Sequence, residues 1–258
     1  MKDSRVLVTS GGTWEEIDRV RKITNTSTGR LGSLIADAFA ERGARVTYLC
    51  GEAALRPLRP MEQVEVIGNV RQLGEALERL LKARPYDCVV HAMAVSDYTP
   101  RAATTAEGLA AAISAAIEAE EQMPEGDDLT ALIRDSIRGI GGEPGEKKIS
   151  SSLEDMVLLM EKTPKVISRI KRLQPETVLV GFKLLVDVPQ AELELVAGGL
   201  MERNDCDFVL ANDLASITGD THKAMLIDGG STRYLNTKQD IAQAIVECVN
   251  VKKGRKQP

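Results

Sequence analysis

The sequence is poor in the residues on which several large function classes depend. It has two histidines, His91 and His222, which excludes a multi-histidine metal centre. Its four cysteines, Cys50, Cys88, Cys206 and Cys248, form no C-x-x-C pair, so they read as reduced, mostly buried thiols rather than a disulfide framework or zinc site. Positive charge is not in excess: 33 Lys and Arg stand against 38 Asp and Glu, a net charge of −5, and no broad basic surface for nucleic acid is implied. No apolar run approaches membrane length, and no signal-peptide pattern follows Met1-Lys2-Asp3, so a cytoplasmic protein is expected. The pattern G-x-x-x-x-G-K-[ST] is absent, which excludes a P-loop, and the dinucleotide pattern G-x-G-x-x-G is incomplete.

What is present is a soluble-type composition over 258 residues, 43% hydrophobic and 28% charged, enough for one large α/β domain with a well-buried core. The organising stretch runs from Arg5 to Gly32. The apolar run Val6-Leu7-Val8 predicts a buried parallel strand, which breaks at Ser10-Gly11-Gly12-Thr13. After Asn25-Thr26-Ser27-Thr28-Gly29, the residues Leu31, Leu34, Ile35, Ala38 and Phe39 recur at helical spacing. Ser27 or Thr28 is expected to cap that helix, and Gly29 and Gly32 allow a ligand or the neighbouring strand to approach its first turn. The N–H groups of such a helix start suit a phosphate.

Strands and helices alternate further on. Arg45–Leu49, Gln63–Ile67, Asp87–Ala92, Thr177–Gly181 and Asp207–Leu210 read as strands, and Val70–Lys82 and Pro189–Arg203 as helices. Thr163 is expected to cap a helix with Pro164 in its first turn. Lys223–Ile227 and Thr232–Leu235 read as a C-terminal β-hairpin across Asp228-Gly229-Gly230, followed by a helix from Thr237 to Val251 and a disordered tail over residues 252–258. The expected fold is therefore α/β, a Rossmann-like open, mostly parallel sheet with helices on both faces. Its ligands belong beyond the carboxyl ends of the strands, where strand order reverses. Residues 101–146 differ from the rest: two helical patterns, Thr105–Glu121 and Leu129–Ile140, precede a hinge of glycines, and they read as an inserted helical hairpin or lid.

Five strings, taken in order, resemble the phosphopantothenate–cysteine ligase (phosphopantothenoylcysteine synthetase) family. They are Ser10-Gly11-Gly12-Thr13 with Asp18-Arg19-Val20-Arg21 and Asn25-x-Ser27-x-Gly29-Arg30-x-Gly32; Ala92-Met93-Ala94-Val95-Ser96-Asp97-Tyr98; Lys148-Ile149-Ser150-Ser151; Thr163-Pro164-Lys165-Val166 with Gly181-Phe182-Lys183; and Ala211-Asn212-Asp213. The departures are Met93 and Ser96, where the family usually has Ala, and Ser150 and Ser151, where many members have Lys.

The resemblance implies a single ligase domain over residues 1–258, in a stand-alone form without the flavin-dependent decarboxylase domain that many bacteria fuse to it. It implies that 4′-phosphopantothenate is joined to L-cysteine through an acyl-nucleotide, with CTP or ATP as co-substrate and Mg²⁺ as cofactor, in coenzyme A biosynthesis. The implied catalytic residues are Asn25, Arg21 and Lys148. Those implied for the nucleotide are Gly11, Gly12, Ser27, Gly29, Gly32, Lys148, Pro164, Lys165, Phe182 (stacked on the base) and Asn212. Asn25, Met93, Ala94 and Asp97 are implied for the acid substrate, Asp97 also being able to support Mg²⁺; the metal's ligands are not fixed. The partners are these three small molecules, without nucleic acid or membrane, in a homodimer. His91 reads as a strand-end packing residue. Two other classes share the pattern: a Rossmann-type oxidoreductase, which should show the complete glycine fingerprint and an acid after the second strand, and a non-catalytic relative that senses a nucleotide.

Overall fold

The structure, a computed structural model, describes residues 1–141 and 155–256. In chain order the elements begin with strands β1 (Arg5–Ser10), β2 (Trp14–Glu16) and β3 (Lys22–Thr24), then helix α1 (Arg30–Glu41), β4 (Arg45–Gly51), β5 (Gln63–Ile67), α2 (Val70–Ala83) and β6 (Cys88–His91). They continue with β7 (Tyr98–Thr104), α3 (Ala106–Glu118), α4 (Gly126–Gly139), β8 (Val157–Lys162), a 3₁₀ turn (Val166–Arg169) and α5 (Ile170–Leu173). The last are β9 (Val178–Leu185), α6 (Gln190–Asn204), β10 (Phe208–Thr218), β11 (Thr221–Ile227), β12 (Thr232–Thr237) and α7 (Lys238–Lys256).

The chain divides into two compact units. The first holds Met1–Thr13, Asn25–Val95 and the chain from Lys165 onward. Its sheet has the order β12-β11-β10-β9-β6-β1-β4-β5. The six strands from β10 to β5 run parallel, and β11 and β12 add an antiparallel hairpin, so the expected mostly parallel Rossmann-like sheet is what forms. From β1 the chain winds outward through β4 and β5, then returns to β6 on the other side of β1 and winds outward again. The carboxyl ends of β1 and β6 are thus the point where strand order reverses, the usual ligand position in open α/β sheets.

Apolar runs without alternation follow from burial on both faces. Val6, Val8, Tyr48, Val180 and Leu210 pack on one face with Ile35 and Phe39 of α1 and Ile241 and Ile245 of α7. Leu7, Leu49, Val89, Leu179 and Val209 pack on the other with Leu73, Leu77 and Leu80 of α2. Burying each such side chain contributes about 1.5–3 kcal/mol. Asn69 caps α2, its side chain accepting from the Gln72 N–H at 2.9 Å. The cysteines are all free; Cys50, Cys88 and Cys206 are buried, and burial pushes the Cys206 thiol up to about 12. Among the described residues no helix is long and apolar enough to cross a membrane.

The second unit, Trp14–Thr24 and Ser96–Pro164, contains two antiparallel ribbons, β2–β3 and β7–β8. None of these four strands was foreseen. β2 and β3 are three residues long, too short to show a period, and Tyr98-Thr99-Pro100 opens β7. Arg101–Thr104 therefore belongs to a strand and not to the helical segment expected from residue 101. Two helices do follow: the Ser136 hydroxyl of α4 donates to the Ala112 carbonyl of α3 at 2.9 Å. Arg101 donates to the Ile137, Arg138 and Ile140 carbonyls, neutralising the carboxyl end of α4.

Two boundary expectations are corrected. Thr163 is not a helix cap: its hydroxyl donates to the Ser96 carbonyl at 2.5 Å, and the helical residues start at Val166 as a 3₁₀ turn. The last helix continues to Lys256 instead of giving way to a tail at residue 252, because Lys252 pairs with Asp207 at 3.2 Å and Lys253 with Asp87 at 2.8 Å.

Candidate functional site

The loops after β1 and β6 are joined at the switch point. Gly12 and Ala94 form a parallel bridge, the Ala94 N–H donates to the Gly11 carbonyl at 2.8 Å, and the Thr13 N–H donates to the Ala94 carbonyl at 3.1 Å. Asn25 closes the arrangement. Its side-chain amide donates to the Ala94 carbonyl at 3.1 Å, and its N–H to the Thr13 carbonyl at 3.5 Å. This close approach explains Gly12, since a Cβ there would lie 2.9 Å from the Asn25 carbonyl oxygen.

Ser10, the last residue of β1, ties this loop to α1 by donating to the Gly29 carbonyl at 3.0 Å. Gly29, with φ 72°, is the residue before α1, and no side chain caps the helix. Thr28 Oγ1 accepts a long hydrogen bond from the Arg30 N–H at 3.4 Å, but the capping position itself is held by Gly29 and not by Ser27 or Thr28 as expected. The first turn of α1 has no acidic residue, and it opens with Arg30. An uncapped helix start with a cation and no acid leaves N–H groups and partial positive charge for an anion. At Gly32 it is the strand that comes close, because a side chain there would overlap Ser10.

Phe182 and Asn212 lie on adjacent strands, β9 and β10, in the register Phe182–Leu210 and Leu184–Asn212. Phe182 is half-buried and packs on the same core face as Leu210, and alternation puts Asn212 on that face too. They are diagonal neighbours, a relation that spans about 7–8 Å. Asn212 is 6% exposed, and among the described residues its side-chain amide has no hydrogen-bond partner. Met93 is buried, Ala94 half-buried and Lys165 exposed.

The second unit carries the remaining described candidates. The Asp18 side chain is fully buried, and its Oδ1 accepts from the Val20 and Arg21 N–H groups at 2.8 Å each. Its Oδ2 accepts from Nε and Nη2 of Arg21 at 2.9 and 2.6 Å. Arg21 is thus held by an acid three residues before it, a tether not foreseen from the sequence, although the Asp-x-x-Arg spacing was there to read. Asp97 is exposed, and its carbonyl accepts from the Thr163 N–H at 3.0 Å. Pro164 is exposed beside Thr163. Lys148 and Ile149-Ser150-Ser151 lie outside the described residues.

One other feature escaped the sequence. His91 is not merely packed: its Nδ1 lies 2.9 Å from Thr9 Oγ1, and both residues are buried. Burial lowers its pKa to about 4, so the ring is neutral. A side-chain pair formed across neighbouring strands has no local signal. Among the described residues no group of three or more His, Cys, Asp or Glu is placed to hold a metal ion.

Comparison with known proteins agrees with the fold. The family model described as "DNA/pantothenate metabolism flavoprotein C-terminal domain" matches residues 1–114 and 142–252, leaving out the end of α3 and all of α4. The coenzyme A biosynthesis bifunctional protein CoaBC of Thermococcus kodakarensis is 32% identical over 247 residues, covering 95% of this chain and 50% of its own length. The chain thus spans about half the length of the curated relatives it matches. The crystal structure of the DNA/pantothenate metabolism flavoprotein from Streptococcus pneumoniae is 33% identical, with a TM-score of 0.80 over 96% of this chain and 99% of that one. A Cab2 mutant solved in complex with phosphopantothenate-cysteine shares the fold at 17% identity, with a TM-score of 0.65 over 98% of this chain and 87% of that one.

Proposed function

Because the chain belongs to the family of the DNA/pantothenate metabolism flavoprotein C-terminal domain, we propose that it is a phosphopantothenate–cysteine ligase of coenzyme A biosynthesis. The observation that carries this reading is the meeting of Gly12, Ala94 and Asn25 beside the uncapped start of α1, at the point where strand order reverses. That arrangement offers an anion site and a carboxamide together, without an activated nucleophile. The reaction needs none. The 4′-phosphopantothenate carboxylate oxygen attacks the α-phosphorus of a nucleoside triphosphate, and the bond to pyrophosphate breaks. The cysteine nitrogen then attacks the acyl carbon, and the nucleoside monophosphate leaves. Both steps ask for positioning and for neutralisation of developing charge.

The start of α1, with Gly11, Gly12, Ser27, Gly29 and Gly32 around it, receives phosphate. Phe182 takes the base on its ring face, and Asn212 supplies an amide beside it. Asn25 and Arg21 serve the acyl-nucleotide, and Lys148 the triphosphate, with Pro164 and Lys165 flanking the nucleotide. Met93, Ala94 and Asp97 receive the acid substrate. Asp97 would be able to support Mg²⁺, which would supply neutralisation of the phosphate charge. CTP or ATP is the nucleotide, the enzyme works in the cytoplasm as a homodimer, and particle mass by light scattering checks the dimer: a 28.0 kDa species at micromolar concentration contradicts it. The deciding experiment is pyrophosphate release with phosphopantothenate and cysteine, run with CTP and ATP separately. Release with neither nucleotide, from folded protein, refutes the ligase reading.

A further inference from the structure

The hydrogen bonds under the Ala92–Ala94 loop assign a proton. Thr9 Oγ1 accepts from the Met93 N–H at 3.3 Å, since an N–H has no other role, and it lies 2.9 Å from His91 Nδ1. If Nδ1 also donated, the hydroxyl would accept twice. Its own hydrogen would then have no described partner, in a side chain with 0% exposure. A buried donor left unmade is unfavourable. The hydroxyl therefore donates to Nδ1, and the neutral imidazole carries its proton on Nε2.

The same threonine holds the loop at a second point, its carbonyl accepting from the Ala92 N–H at 3.2 Å. Ala94 follows, fixed to Gly11 through its N–H and gripped by Thr13 and Asn25 at its carbonyl. A continuous strut runs His91–Thr9–Met93–Ala94–Asn25, all within the first unit. We propose that Thr9 and His91 are positioning residues for Asn25, holding the backbone it grips and so setting the transfer to cysteine rather than the binding of nucleotide. This rests on the reading that Asn25 serves the acyl-nucleotide.

Thr9→Val tests it, since it removes the hydroxyl and keeps the volume; Thr9→Ser restores the hydroxyl. With only two histidines in the chain, the ¹⁵N resonances of both rings are assignable with one His222→Gln control. The expected wild-type signature is a protonated Nε2 and an unprotonated Nδ1 on His91. In Thr9→Val the His91 ring and the Asn25 side-chain amide resonances both move. Pyrophosphate release and nucleotide affinity persist while transfer to cysteine slows about tenfold or more, as expected when a reacting group is displaced. Thr9→Ser recovers the transfer rate. His91→Phe, which keeps a ring and removes the acceptor, repeats the pattern should Thr9→Val fold poorly. An Nδ1-protonated His91, or an unmoved Asn25 amide in a folded variant, overturns the proposal. Normal transfer in Asn25→Asp would instead remove the catalytic reading of Asn25, and the Asn25 amide shift would still decide the strut.

Discussion

Asn25 and Ala94 stand 69 residues apart, yet the Asn25 side-chain amide donates to the Ala94 carbonyl at 3.1 Å. The contact joins the segment before α1 to the loop after β6, and it fixes the carboxamide at the switch point of the sheet. Replacing Asn25 with Asp removes the donor and sets a carboxylate against a carbonyl oxygen. One donor of this kind contributes about 2.7–4 kcal/mol to a transition state with developing oxyanion charge. Asn25→Asp should therefore still release pyrophosphate but pass the acyl group to cysteine slowly, so that acyl-nucleotide accumulates. Lys148→Gln should lose the first step instead. Mass spectrometry of quenched reactions distinguishes the two, and normal turnover in Asn25→Asp without accumulated intermediate refutes the assignment.

Phe182 is half-buried beside Asn212, so part of its ring is packed and part is available. Phe182→Ala should weaken nucleotide binding by about 1–3 kcal/mol, the range for a base on an aromatic side chain. Calorimetric titration measures this directly. An unchanged affinity in a folded variant removes Phe182 from the site.

Asp18 accepts four hydrogen bonds within a turn of the second unit, two from N–H groups and two from the Arg21 guanidinium. Asp18→Ala leaves both N–H groups without this acceptor and releases Arg21. Hydrogen bonds to a charged group are worth about 1.5–3 kcal/mol. Thermal unfolding should shift downward, and ligase activity should fall through the loss of Arg21 placement. A variant with wild-type Tm and activity shows that the turn does not depend on this acid.

Both histidines are held neutral. Burial lowers His91 and His222 from 6.5 to about 4, and nearby Lys238 adds to the effect at His222. Between these values the unfolded chain binds protons that the folded chain refuses. Stability is therefore fully present above pH 6.5 and falls as pH drops toward 4, by up to about 1.4 kcal/mol per pH unit for each histidine. Denaturant midpoints at pH 7 and pH 5 check the slope, and His222→Gln should flatten it. Two imidazoles titrating near 6.5 in the folded protein would contradict the prediction.

The sequence by itself determined the parallel sheet and its C-terminal hairpin. Val6-Leu7-Val8, Val70–Lys82 and the hairpin across Asp228-Gly229-Gly230 carry that information locally, in apolar period and turn chemistry, and β5 forms over Gln63–Ile67 as read. Tertiary structure alone decided the rest. β2, β3, β7 and β8 have no periodicity of their own and exist because each finds a partner strand. The end of α7 is set by Asp207 and Asp87, which stand just before β10 and β6 and pair with Lys252 and Lys253. The need for glycine at positions 12 and 32 comes from the close approach of Asn25 and Ser10. The Thr9–His91 pair spans 82 positions. Local propensity acts over a few residues, whereas hydrogen bonds and packing between distant strands exist only once the sheet has formed, so the tautomer of His91 and the seat of Asn25 could not be read before it.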